Sequence, residues 1–296
     1  MSALTAAPPG ALLRPRDITK RSGSSFLAGF VCLAARRRQG MTAIYAFCRV
    51  VDDAVDAAPD KATAVTHLQF WRAELAAAAA GTAATPVGTA LQTTMREFGV
   101  QRAPLEALLD GVAMDVDPHA FADEQELRVY CERVASAVGF ACLPVLGAEG
   151  PDAVGFADHL GKALQLTNIL RDLRADALVG RVYVPRTWLA EAGVDPSWLR
   201  GGGLDPAYGP NGPLAALRAR LVSSAEAEFE LAHRHLRALD RRARRALVPA
   251  RIMGAVYREL LRRLASARGE IRGERVRVPR HRKLWLALAV WAGATP

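Results

Sequence analysis

Two stretches restrict this chain more than anything else in it. Tyr45-Ala-Phe-Cys-Arg-Val-Val-Asp-Asp-Ala-Val-Asp56 and Gln165-Leu-Thr-Asn-Ile-Leu-Arg-Asp-Leu-Arg-Ala-Asp176 each set two aspartates four residues apart in a segment otherwise written as an apolar helix. Tyr45, Arg49, Asp52 and Asp56 share one side of that helix, as do Leu164, Thr167, Asn168, Arg171, Asp172 and Asp176 on the second. A single Asp-x-x-x-Asp usually marks a solvated face, and Arg49 with Asp52 or Asp53 usually marks a local ion pair. Two such faces are different. Carboxylates in an apolar helix are costly to bury uncompensated, and four of them around one cavity would raise one another's pKa unless cations intervene. Mg²⁺ takes oxygen ligands and commonly binds a few carboxylates together with substrate phosphates. It would also stabilise the charge on a departing diphosphate.

The remainder reads as helix. Met41 to Asp56, Ala62 to Ala80, Val87 to Phe98, Pro104 to Met114, Glu124 to Leu146, Asp152 to Asp176, Leu214 to Leu239 and Arg245 to Ala267 carry helical spacing or strong helix formers, and Trp188 to Ala192 forms a shorter helix. Pro59, Gly81 to Pro86, Gly147 to Pro151 and Gly180 to Pro185 break them. Strand-like alternation is confined to Val276-Arg-Val278. With 51% hydrophobic and 23% charged residues the chain has ample material for a core. The expectation is one all-α bundle with a central cavity over residues 22–296, a surface loop at Gly201 to Pro213, and a loose leader over residues 1–21.

The formal charge of +9 implies an anionic partner: nucleic acid, membrane surface or phosphorylated small molecule. Nucleic acid fits poorly, since no zinc-finger or RNP-like motif occurs. Cys32, Cys48, Cys131 and Cys142 form no C-x-x-C pair, which suits a reducing cytoplasm. The apolar run Leu284 to Ala294 is too short to span a bilayer, so no transmembrane helix is expected. Peripheral membrane contact stays open, because the basic Arg272-to-Lys283 block adjoins that run and could hold a diphosphate or an anionic lipid surface.

Both acidic motifs resemble those of the squalene/phytoene synthase family. So do Ser22-Gly-Ser-Ser-Phe26, Tyr130-Cys-x-Arg133-Val-Ala-x-x-Val-Gly139 and Gly180-Arg-Val-Tyr-Val-Pro185, all in family order. The resemblance implies an all-α isoprenoid synthase fold and Mg²⁺-dependent, head-to-head condensation of two prenyl diphosphates. Carried across, Asp52, Asp56, Asn168, Asp172 and Asp176 hold two or three Mg²⁺ ions together with the diphosphate. Arg49 and Arg171 contact diphosphate, Tyr45 and Tyr130 lie near the departing group, and Ser25, Phe26, Gln165 and Tyr183 contact substrate. A reactive carbocation needs a dry cavity, for which Phe26, Phe47, Val134, Val138, Phe140 and Leu164 are candidate walls.

Tyr45-Ala-Phe-Cys-Arg49, Ser22-Gly-Ser-Ser-Phe26 and Arg282-Lys-Leu-Trp-Leu-Ala287 are most similar to the bacterial hopanoid-pathway branch, which joins two farnesyl diphosphates into presqualene diphosphate and stops there. The alternatives are phytoene formation from two geranylgeranyl diphosphates, squalene or dehydrosqualene formation, and a catalytically silent helical assembly factor. NADPH is not expected, although reductive relatives bind it without a Gly-rich motif. Monomer and homodimer both remain open. Ala175 departs from the family pattern, where Glu often precedes the last aspartate. Asp115 and Asp117 could reach the cavity or simply end a helix, and His119 reads as a loop residue.

Overall fold

The computed structural model describes residues 8, 10–22, 30, 32–118, 120–201, 211–266 and 275–294. Ser25, Phe26 and His119 lie outside them, as does most of the Gly201-to-Pro213 loop. Helices account for the described elements, and no strand occurs among the described residues, Val276 to Val278 included. In chain order the α-helices are α1 (Pro15–Ser22), α2 (Ala35–Asp56), α3 (Lys61–Ala80), α4 (Pro86–Phe98), α5 (Arg102–Ala113), α6 (Glu124–Cys131) and α7 (Ala137–Leu146). They continue as α8 (Pro151–Leu178), α9 (Arg186–Ala192), α10 (Pro213–Ala238), α11 (Arg241–Ala246), α12 (Val248–Ser266) and α13 (Arg280–Trp291).

Local chemistry sets the boundaries. Asp60, Thr85 and Asp123 cap α3, α4 and α6 by accepting a backbone N–H in the first turn. Gly81, Gly99 and Gly147 end α3, α4 and α7 at positive φ, where a side chain would be strained. Arg37, from the exposed basic cluster in the first turn of α2, donates to the Leu146 carbonyl and closes the end of α7. Pro86 and Pro151 open their helices, where the missing N–H does no harm.

Within the stretch expected as a leader, residues 10–22 are described and folded. α1 packs on α2 and buries Ile18, while Ala11 is buried just ahead of it, so apolar contacts that a proline-rich composition conceals fold residues 10–22 onto the bundle. One hydrophobic cluster then runs from Ala11 to Val290. α8 lies along α10 on one side and meets α7 and α12 on others, whereas α2 packs on α1, α3, α4 and α7. α2 and α8 share little direct packing, and the space between them is the cavity described below.

A five-residue π-helical turn, Glu132–Ser136, interrupts the continuous helix from α6 to α7. π-turns frequently occur at functional sites because they re-aim side chains. Here two glycines admit it. A Cβ on Gly161 of α8 would lie 2.6 Å from the Ser136 amide nitrogen, and one on Gly111 of α5 would lie 2.7 Å from Val134. The whole segment Glu124–Leu146 is, by length and composition alone, long and apolar enough to cross a membrane. In the bundle it is a core helix: half of its apolar window is buried, and its π-turn faces the cavity.

Candidate active site

α2 and α8 run as opposite walls of a cavity of about 330 Å³, within the range of small-molecule sites. Its rim carries Tyr45, Arg49 and Asp52 from α2, Gln165 and Asn168 from α8, and Tyr257 from α12. Deeper, the lining is apolar: Met41, Ile44, Val134, Val138, Leu143 and Leu164 among others. From Asp52 to Met41 along α2 is eleven residues, or about 16 Å at 1.5 Å per residue, so the polar rim and apolar floor are well separated.

Of the expected walls, Val134, Val138 and Leu164 line the cavity. Phe47 does not. It is fully buried on the other side of α2, edge-on to Trp71 with ring centroids 6.2 Å apart. Phe140 packs against the core outside the lining, because the π-turn rotates α7 relative to an uninterrupted helix. Cys142, Leu143 and Phe156 stand there instead.

Around the rim, arginines and carboxylates interlock. Arg49 pairs with Asp53, Nη2 to Oδ1 at 2.5 Å. Asp172 accepts from Arg171 Nε at 3.0 Å and from Arg275 Nε at 3.0 Å and Nη2 at 2.8 Å. Arg181 donates its backbone N–H to the Asp176 carbonyl at 2.8 Å and its guanidinium to Asp56 at 2.7 Å. It therefore ties the end of α8 to the end of α2. Tyr130 and Tyr183 stack with ring centroids 5.0 Å apart and both donate to Asp115, at 3.1 and 2.8 Å. Asp115 is thus a member of the site, and the helix-ending alternative is set aside for it. Asp117 is exposed and pairs with Lys61.

The charges report how crowded each acidic face is, and that Asp115 is near both. Burial, then Asp56, pushes Asp52 up to about 7, with Asp53 and Asp115 adding to it against Arg49. Burial and Asp172 push Asp176 up to about 7. Burial also raises Asp115 against the pull of Tyr183, Arg181 and Tyr130. Burial acts on Asp172 too, but its bonds to Arg171 and Arg275 prevail and hold it below the usual carboxylate range. Neither Asp52 nor Asp176 forms an ion pair or hydrogen bond through its side chain among the described residues. The buried Asn168 Oδ1 likewise has no hydrogen-bond partner.

These uncompensated oxygens fit a hard cation, which takes oxygen ligands. Among the described residues, however, no three metal-binding side chains stand close enough to hold an ion by themselves. Asp56 and Asp172 are held by arginines, and the arrangement would suit ions that complete their shell with substrate phosphate. Ala175 is exposed, so the family's Glu at that place would face solvent. Sequence reasoning did not assign Arg181, Tyr257 and Arg275 to the rim. Arg181 sat in a recognised motif and Arg275 in the basic block, while Tyr257 carries no pattern of its own.

A helical bundle with an apolar well under a rim of aspartates and arginines defines the class: the all-α isoprenoid synthase fold. A solved dehydrosqualene synthase in complex with ligand superposes with a TM-score of 0.81 at 30% identity, covering 94% of each chain. The presqualene diphosphate synthase of Rhodopseudomonas palustris is 40% identical over 83% of this chain and 85% of its own length. The phytoene synthase of Rhodobacter capsulatus is 33% identical over 92% of this chain and 78% of its own. The squalene/phytoene synthase family model matches residues 19–282. The chain belongs to the squalene/phytoene synthase family, whose members are prenyltransferases.

Proposed function

We propose that this protein joins two farnesyl diphosphates head to head, releases one diphosphate and stops at presqualene diphosphate. The observation that carries the reading is the cavity itself, an apolar channel whose single polar end gathers uncompensated carboxylates and arginines. Similarity to presqualene diphosphate synthases supports the choice of substrate.

Asp52, Asp56, Asn168, Asp172 and Asp176 would hold two or three Mg²⁺ ions, which supply positive charge to the diphosphate as it departs. Arg171 and Arg275 already stand on Asp172 and Arg181 on Asp56, with Arg49 next to them on Asp53, so a diphosphate entering the rim meets guanidiniums that match its oxygens in pairs. Val134, Val138 and Leu164 exclude water from the allylic cation left behind. The double bond of the second chain attacks that cation, and loss of a proton closes the cyclopropane. Burial holds Tyr130 and Tyr183 protonated and both donate to Asp115, so neither is placed to accept the proton. The released diphosphate takes it.

The test is product identity. Purified protein with Mg²⁺ and farnesyl diphosphate, without a reductant, is expected to yield presqualene diphosphate by mass spectrometry. Phytoene from geranylgeranyl diphosphate, with nothing from farnesyl diphosphate, would instead establish the phytoene reading that the Rhodobacter capsulatus relative favours. Asp56→Ala is expected to abolish turnover. Unchanged turnover in that variant would remove the metal role.

A further inference from the structure

Four of the large apolar side chains most open to solvent sit on one short helix. On α13, Leu284 is 63% exposed, Trp285 56%, Leu288 57% and Trp291 70%. At 100° per residue they cover an arc of about 120°, a continuous stripe along two turns. Leu286 and Val290 point the other way and join the core beside α12. The helix is therefore already satisfied on its inner face, and the outer stripe is surplus to folding.

Charge says what covers it. From Arg275 to Pro296 the sequence holds Arg275, Arg277, Arg280, Arg282 and Lys283 and no Asp or Glu. Arg275 is engaged at the rim, and Arg282 leans on Glu259 of α12 and over the Trp285 ring, 4.6 Å from its centroid. Arg277 and Arg280 form no ion pair with a described residue. Burial, together with Arg277 and Arg280, lowers the affinity of Lys283 for its proton, a sign of cations crowded on one another.

We propose that the outer face of α13 docks this protein on an anionic lipid surface, Leu284, Trp285, Leu288 and Trp291 entering the headgroup boundary while Arg277, Arg280 and Lys283 meet the phosphates. A basic turn followed by an apolar stripe with two tryptophans is the composition that interfacial helices use. A second copy of the chain is a poorer occupant, because a two-fold contact through this helix would set the same acid-free cationic turns against each other. Location adds a reason. Arg275, which clamps Asp172 at the rim, is only five residues from the start of α13. A docked helix thus lies close to the mouth through which an apolar substrate enters and an apolar product leaves.

The experiment is co-sedimentation of the full chain with vesicles of phosphatidylcholine alone and of phosphatidylcholine mixed with phosphatidylglycerol, read also by tryptophan fluorescence. Binding is expected to the mixed vesicles only, weakening as salt rises. Trp285→Ser/Leu288→Ser/Trp291→Ser is expected to weaken it about a hundredfold. Arg277→Gln/Arg280→Gln is expected to weaken it about fivefold per cation removed. Prenyl diphosphate turnover in detergent and the melting temperature of both variants check that the fold survives. Wild-type protein that stays in the supernatant with both vesicles, or a folded triple variant that binds as wild type does, overturns the proposal. A dimer that the triple variant dissociates, without vesicle binding by the wild type, also overturns it and assigns the face to self-association. Binding is read without catalysis, so this surface and the proposed reaction stand or fall separately.

Discussion

The metal-free protein should become more stable when a principal site residue is neutralised. Asp52→Asn keeps the shape of the side chain and removes its charge. Asp52 is lifted from 3.8 to about 7, first by burial and then by Asp56. A carboxylate raised in this way favours the fold fully only below its unfolded pKa, and that advantage is lost as pH rises through the folded value. At 1.36 kcal/mol for each tenfold change in proton affinity, ionised Asp52 opposes folding by about 4 kcal/mol at pH 8. Water entering the open cavity trims that figure, and about 2 kcal/mol is the working value. At about 2.1 cal/mol/K of unfolding entropy per residue, for a chain of 296 residues it corresponds to a melting temperature about 3 °C higher in the variant. The assay is calorimetry of both proteins at pH 5 and pH 8, with chelator and then with Mg²⁺ and inorganic pyrophosphate. With chelator, the variant should lead at pH 8 by more than at pH 5. With Mg²⁺ and pyrophosphate, only the wild type should gain, and the order should reverse. A variant that melts below the wild type at pH 8 in chelator would refute the reasoning, because Asp52 would then be a compensated charge.

Gly161→Ala should lower stability by about 2–3 kcal/mol, since the new methyl meets the Ser136 backbone at 2.6–2.7 Å and backbone cannot swing aside; denaturant midpoints check this, with Gly254→Ala, which meets only a Leu160 methyl, as the milder control. Arg275→Gln should raise KM for the prenyl diphosphate several-fold while destabilising the metal-free protein by only about 0.5 kcal/mol, as expected of a half-exposed pair. Because Asp172 is held low, that small loss should be present at neutral pH and vanish in acid, which melts in chelator at both pH values would show. Met41→Ala removes bulk from the apolar floor and should increase use of geranylgeranyl over farnesyl diphosphate in a competition assay.

Periodicity made the helices legible, since runs such as Tyr45 to Asp56 and Gln165 to Asp176 announce both their helix and the face that carries chemistry. Sequence could not show where the long Glu124–Leu146 helix would widen into a π-turn. That depends on Gly111 and Gly161, glycines on two other helices that leave room for it. The misplacement of Phe140 has the same origin: which side of a fully apolar helix faces a cavity is settled by its neighbours, and the pattern of α7 is apolar all round. Phe47 is different, for it stands about 200° round α2 from Tyr45, and helical spacing alone sets it away from the acidic face. The fold of residues 10–22 was hidden for the opposite reason, because the few apolar residues that anchor it are interspersed with Pro15 and with Arg14, Arg16, Lys20 and Arg21.

Arg181 illustrates a harder limit, and it bears on how the rim works. No helical face points to it, for it follows Gly180 in a loop, yet it bonds both acidic helices. Local rules can assign carboxylates to a face, but an arginine that bridges residues 56 and 176 is defined only by the fold. The clamps are also uneven. Asp172 has two arginines and Asp56 has one, while Asp52 and Asp176 share no ion pair and sit near neutrality in their proton affinity. Were all four paired, a cation would have to break four salt bridges to enter. Were none paired, repulsion among them would oppose the fold itself. In the proposed reaction, the observed division would leave one open carboxylate on each helix to meet an incoming ion. The arginines on the other two would stay within reach of the diphosphate that arrives with it, so the groups that pair with the carboxylates here would be the ones that hold the substrate.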